Sequence, residues 1–274
     1  MNDEKFAVNF ETKTIKALDL LKISKRKRVL VAASGGKDST SLLFLLKKLN
    51  YGIEALTVNA HIGNYSEDNL NRLKKFCTDN KIKLHEVSFM KEFGFSLPNL
   101  MSILEKKKIK KTSCSVCGAL RRYLLNKYAK KLKADVLITG HNLDDESNGI
   151  LVSIFTGKPS YAARTGPLIK NKHFIPKAKP YYFISENEIE RYSKINNFDV
   201  CYEWCPHSNS GMRRFISELK LNNSEKMNLI KNTMKFSFCL KKSSKKIKKC
   251  ENCGEPSANL NCQACSILNL IKND

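Results

Sequence analysis

The chain has 274 residues, enough for one large core or two modest domains, and its 49 Lys and Arg against 26 Asp and Glu give a formal net charge of +23. That excess attracts a polyanion, either nucleic acid or an anionic membrane surface. No run of eighteen apolar residues and no apolar leader occur, which argues against a membrane-spanning helix or an exported disulfide scaffold and sets the expectation of a cytoplasmic protein. Taken in order, a helix is expected over 15–21, ahead of the basic run Lys25-Arg26-Lys27-Arg28. Val29 to Ala33 is an apolar run without helical period, which predicts a buried strand; the apolar run beyond Ser39 predicts a helix reaching residue 49. Further strands are expected over 53–58, 82–89 and 134–140. Helices are expected over 66–80 with Ser66 as N-cap, over 100–129 with a break near 111–113, and over 146–155. Strands alternating with helices predict an α/β fold, a doubly wound parallel sheet that binds ligands at the carboxyl ends of its strands.

Ser34-Gly35-Gly36-Lys37-Asp38-Ser39 falls at the first strand-to-helix turn. A helix start there presents unpaired N–H groups and a positive dipole end to an anion. Gly35 and Gly36 admit a ligand close to the backbone, and Lys37 adds a point charge for phosphate. The spacing is not that of a Walker A loop. At the end of the 134–140 strand, Gly140-His141-Asn142-Leu143-Asp144-Asp145-Glu146 crowds three carboxylates. Either a cation or the helix end that Asp144 and Asp145 would cap must balance them.

Eight of the ten cysteines fall into close groups, which favours metal chemistry over disulfides. Cys114-Ser115-Val116-Cys117 opens a helix and supplies two thiolates. Cys205, in Trp204-Cys205-Pro206-His207-Ser208, would make three, which suits an iron–sulfur cluster with one iron open; Cys201 as a fourth would make a closed zinc site. Cys250, Cys253, Cys262 and Cys265 form two CxxC pairs eight residues apart and predict a zinc ribbon holding structural Zn2+. Cys77 and Cys239 stand alone and are expected in the core. Basic runs at 106–111 and 241–249, with Arg213 and Arg214, are expected to meet RNA phosphates.

The 34–39 loop resembles the pyrophosphate-binding loop of the PP-loop ATP pyrophosphatases. Its combination with Cys114, Cys117 and a later cysteine followed by proline resembles the 2-thiouridine synthetases of transfer RNA, over nearly the whole chain from residue 28. The resemblance implies ATP bound by Ala33, Ser34, Gly35, Gly36, Lys37, Asp38 and Ser39, with adenine near Val58, Asn59, Gly140 and His141, and Mg2+ on its phosphates. It implies Asp144 as the catalytic aspartate with Asp145 second, Lys37 and Arg121 as further catalytic residues, and a 4Fe-4S cluster on Cys114, Cys117 and Cys205. Arg121 stands where the uridine-modifying members usually have lysine, and the cytidine-thiolating group has a similar Leu-Arg-Arg; Trp204 replaces a more usual acidic residue. The carboxyl-terminal ribbon resembles that of the uridine group, whose usual amino-terminal ribbon has no counterpart, since the first cysteine is Cys77.

The implied reaction is adenylation of the C2 oxygen of a tRNA uridine and its replacement by sulfur. The implied partners are tRNA and a sulfur-carrier protein or free sulfide, without a membrane and with a homodimer open. Residues 1–200 would form the nucleotide domain, 201–244 the cluster-closing and RNA-contacting segment, and 245–274 the ribbon. A tRNA cytidine 2-thiolase, a PP-loop tRNA-modifying ligase with structural zinc only, and a non-catalytic RNA-binding protein are the alternatives.

Overall fold

The computed structural model describes residues 2–158, 162, 165–208, 211–240 and 247–272. Helix α1 (Asp3–Leu20) starts at an Asn2 cap, earlier than the apolar pattern alone indicates. Then come β1 (Val29–Ala32), α2 (Lys37–Lys48), β2 (Ile53–Asn59), α3 (Gly63–Asp79), β3 (Lys83–Ser88) and the short α4 (Phe89–Phe93). Next are α5 (Leu97–Lys106), α6 (Ser113–Lys131), β4 (Val136–Thr139) and α7 (Leu143–Phe155). The chain continues through β5 (Leu168–Asn171), β6 (Phe174–Ala178), α8 (Glu186–Ile195), α9 (Gly211–Glu218) and α10 (Asn223–Leu240), and ends in β7 (Lys248–Lys249), β8 (Pro256–Ser257) and α11 (Gln263–Lys272). No described helix is long and apolar enough to cross a membrane.

The six-stranded sheet runs in the order β3-β2-β1-β4-β6-β5. Every neighbouring pair is parallel except β5 with β6, an antiparallel edge hairpin that the sequence pattern did not predict. In β1, Val29 and Val31 pack into one core cluster with α1, α2 and α8, while Leu30 packs into another with α5, α6 and α11. β4 repeats this, with Val136 and Ile138 on one side and Leu137 on the other. The period-two alternation of wholly apolar strands thus places helices on both faces, as a doubly wound sheet requires.

The strand order reverses between β1 and β4, so the crevice at their carboxyl ends is the expected ligand site. Both following helices, α2 and α7, begin there. One expected helix boundary differs. Helix α3 starts at Gly63, and Ser66, instead of capping it, accepts the Ile62 N–H on Oγ at 2.8 Å. The C-terminal cysteines come together as expected and also join the main core, because Cys250, Cys262 and Cys265 belong to the same apolar cluster as Leu104, Val116 and Leu120 of α5 and α6.

Candidate functional site

The phosphate loop is wound tightly by its own hydroxyls. Ser34 N–H donates to Ser39 Oγ at 3.2 Å, and Ser39 Oγ donates to Gly36 O at 3.2 Å. Gly35 adopts φ +83°, and a Cβ there would lie 2.2 Å from the Asn69 carbonyl oxygen of α3, so only glycine fits. Gly140 plays the matching part on β4, where a Cβ would come within 3.1 Å of the Asp38 backbone. The end of β4 therefore touches the start of α2.

Lys37 is 12% exposed and donates to Glu186 Oε1 at 2.6 Å, with Asp38 Oδ2 at 3.5 Å. Burial opposes its charge, but the carboxylates of Asp38 and Glu186 outweigh burial and hold its pKa above the ordinary lysine value. Burial, with Asp145 and Glu186 nearby, pushes Asp38 up to about 6 despite Lys37 and an Asn142 Nδ2 donor at 3.2 Å. Ionised Asp38 thus costs the folded protein stability above that pH, a cost the unfolded chain does not bear. Asp38→Asn is expected to stabilise the ligand-free protein by about 1 kcal/mol at pH 7, a gain that shrinks as pH falls through 6 and is gone below about 4. Denaturant unfolding at pH 7 and pH 4 checks it.

The three crowded carboxylates after β4 find three separate partners. Asp145 closes a capping box with Asn142, accepting the Asn142 N–H at 3.3 Å while its own N–H donates to Asn142 Oδ1 at 3.0 Å. Glu146, 5% exposed, accepts from Lys179 Nζ at 2.6 Å. Asp144 stands outside the cap: its Oδ1 accepts from Lys226 Nζ at 2.6 Å and its Oδ2 from the Glu186 N–H at 2.7 Å. The capping alternative therefore holds for Asp145, and Asp144 is left as a carboxylate already facing a cation. Glu186 and Lys226 were missed from the sequence. The Ser185-x-x-Glu188 capping box marks the start of α8 beside Glu186, whereas nothing local marks Lys226.

A cavity of about 320 Å³ lies over the loop, lined by Ala33, Ser34, Asp38 and Ser39 with Val58, Gly140 and His141. Asn59 does not line it; its Oδ1 accepts the His61 N–H at 2.8 Å, and it faces the neighbouring cavity. That second cavity, of about 360 Å³, brings Ser34 together with Cys114, Cys117 and Cys205. Arg121 lines both cavities and donates from Nε to Cys117 Sγ at 3.2 Å. Burial pushes the Cys205 thiol up, and Cys117 and Cys114 add to this. Cys201 lines a third cavity, on the Lys37 side, and its backbone bridges Gly36.

Three thiols spaced around a cavity suit a polynuclear cluster better than one ion. The C-terminal group is different: the sulfurs of Cys250, Cys253, Cys262 and Cys265 all lie within 4.8 Å of one another. The Cys253–Cys262 separation of 3.7 Å matches the edge of roughly 3.8 Å that a tetrahedron with zinc–sulfur bonds of about 2.3 Å requires. Backbone N–H groups of Cys262, Cys253 and Asn252 outweigh burial and hold the Cys250 thiol down at about 6. Cys77 is buried alone, and its thiol is pushed up to about 11 by that burial. Lys106, Lys108, Lys110 and Lys111 are exposed just before the cysteine helix α6. Residues 241–246 and the side chains of Arg213, Arg214 and Cys239 lie outside the described residues.

Residues 9–216 match the model of a PP-loop domain family. The chain is 33% identical to a tRNA-5-methyluridine(54) 2-sulfurtransferase of Pyrococcus horikoshii, over 98% of this chain and 88% of that one. It is 30% identical to cytoplasmic tRNA 2-thiolation protein 1 of Caenorhabditis elegans, over 96% of this chain and 73% of the relative. Among solved structures, the U34-tRNA thiolase NcsA from Methanococcus maripaludis with its [4Fe-4S] cluster superposes with a TM-score of 0.81 at 27% identity. That match covers 97% of this chain and 88% of the thiolase.

Proposed function

This chain belongs to the PP-loop family, in its branch of tRNA 2-thiolation enzymes, and we propose that it adenylates the C2 oxygen of a tRNA uridine with ATP and exchanges that oxygen for sulfur. The observation that carries the reading is the shared wall: Ser34 of the phosphate loop and the thiols of Cys114, Cys117 and Cys205 line one cavity, so an activated base and a sulfur source meet without diffusion. The pyrophosphate of ATP lies on the 34–39 loop, and adenine fills the cavity lined by Val58, Gly140 and His141. The uridine oxygen attacks the α-phosphorus and pyrophosphate leaves. Lys37 and the backbone N–H groups at the start of α2 take up the charge that develops on it.

Asp144 is the preferred ligand for Mg2+ on the phosphates, because its carboxylate is oriented toward the Lys226 ammonium while Asp145 is committed to its cap. Adenylation makes the C2 oxygen a good leaving group, departing as AMP. A 4Fe-4S cluster on Cys114, Cys117 and Cys205 would have one iron without a cysteine ligand and would supply sulfur transfer. Arg121, whose guanidinium donates to the Cys117 sulfur, holds that ligand atom in place and borders the nucleotide cavity. Zn2+ on the four C-terminal cysteines is structural, with tRNA, a sulfur-carrier protein or free sulfide as partners and the cytoplasm as location. The described portion of residues 201–244 closes the cysteine cavity through Cys205.

Incubating the anaerobically purified protein with unmodified tRNA, ATP and sulfide, then analysing nucleosides by mass spectrometry, tests the proposal. A 2-thiouridine derivative that forms only with ATP supports it; AMP production with a sulfur-free product identifies a ligase instead.

A further inference from the structure

The cavity on the Lys37 side, about 310 Å³, lies between the phosphate loop and the segment that carries Cys201 and Cys205, with Trp204 in its wall. The indole is 69% exposed, and among the described residues no aromatic side chain is more so. Leaving a side chain of this size in water forgoes the stabilisation its burial would bring. Its segment is nonetheless firmly held. Cys201 bridges Gly36, the Tyr202 hydroxyl lies 3.0 Å from Ser193 Oγ, the Lys194 ammonium sits 5.5 Å over the Tyr202 ring, and Ser208 N–H donates to Cys205 O at 2.8 Å. The tryptophan is therefore presented by an anchored backbone.

The cavity has two ends. Lys37, Asp38 and Asp144, the last paired with Lys226, form the end assigned above to the ATP phosphates and their cation. At the other end Trp204 and Cys205 offer an aromatic face beside a thiol, which suits a neutral planar base. We propose that Trp204 is the stacking platform for the target nucleobase, and that the cavity beside it is the base subsite, between the phosphate loop and the cysteine segment. This rests on the tRNA-thiolation reading. A base cannot be modified at C2 while stacked and paired, so it must be splayed out, and an unstacked base recovers stability on an aromatic face.

The sequence contains one tryptophan, so its emission reports this indole alone. Unmodified tRNA transcript is titrated into the full-length protein while emission is recorded, and binding is measured separately by mobility shift. Emission is expected to be quenched in step with binding. Trp204→Phe should retain affinity within about threefold, whereas Trp204→Ala should lose about tenfold, with ATP binding intact in both. Transcript that binds wild type without changing the emission, or a Trp204→Ala protein that binds and thiolates as wild type does, overturns the base subsite while leaving thiolation standing. Failure of the wild-type protein to incorporate sulfur into any tRNA would overturn the thiolation reading and the subsite together.

Discussion

Asp144→Asn is expected to lower tRNA thiolation by at least about a hundredfold while tRNA binding and folding persist. The substitution keeps the size of the side chain, and an amide oxygen can still accept the Glu186 N–H that Asp144 accepts at 2.7 Å. The charge facing Lys226 is lost, and with it the site proposed for the metal on the ATP phosphates. Stability should fall by about 2 kcal/mol, because the Asp144–Lys226 pair is only about one-fifth exposed on each side and the ammonium loses its carboxylate. Lys226→Met separates the two roles. If the ammonium only occupies the position of a cation in the ligand-free protein, that variant keeps activity within about tenfold of wild type. Single-turnover AMP formation on both variants is the measurement. Wild-type rates in Asp144→Asn would remove the aspartate from the proposed chemistry.

Cys265→Ser is expected to lower the melting temperature by about 10 °C and to release zinc. Cys265 is 5% exposed and lies in the cluster that joins the C-terminal cysteines to α5 and α6, so losing a ligand there unbinds metal and also loosens a shared core. Helix α11, which begins at Gln263, packs on α6 and should lose protection with it. Because α6 also carries Cys114 and Cys117 at its other end, sulfur transfer should weaken at elevated temperature before ATP binding does. An unchanged melting temperature, with zinc retained, would mean that the other three thiols suffice.

The sheet and the phosphate loop were legible in the sequence because their signals are local. A wholly apolar run ending in Gly35-Gly36-Lys37 states both a buried strand and the turn after it, and Cys114-x-x-Cys117 states two thiols one turn apart at a helix start, where α6 carries them. The edge hairpin was not legible, because Pro176 and the lysines at 170, 172 and 177 hide the alternation that identifies a strand. The crowded carboxylates were readable as a cluster but not all as individuals. The Asn142-x-x-Asp145 cap is local and open to sequence reading, but only the tertiary fold gives Glu146 to Lys179 and Asp144 to Lys226, pairs 33 and 82 residues apart in sequence. Glu186 reaches Lys37 across 149 residues, a contact no window of sequence contains. The joining of the ribbon to the main core was likewise hidden, since the metal pattern of four cysteines reads the same with or without a neighbouring helix to pack on.

The most direct test of the two-centre account is an iron, zinc and sulfide count on anaerobically purified protein, for the intact chain and for Cys114→Ala. The account predicts about four irons and one zinc per chain, with the iron and its brown absorbance lost in the variant and the zinc retained. Two zincs and no iron under strict anaerobiosis would contradict it, leaving Cys114, Cys117 and Cys205 without the cluster on which sulfur transfer is proposed to depend.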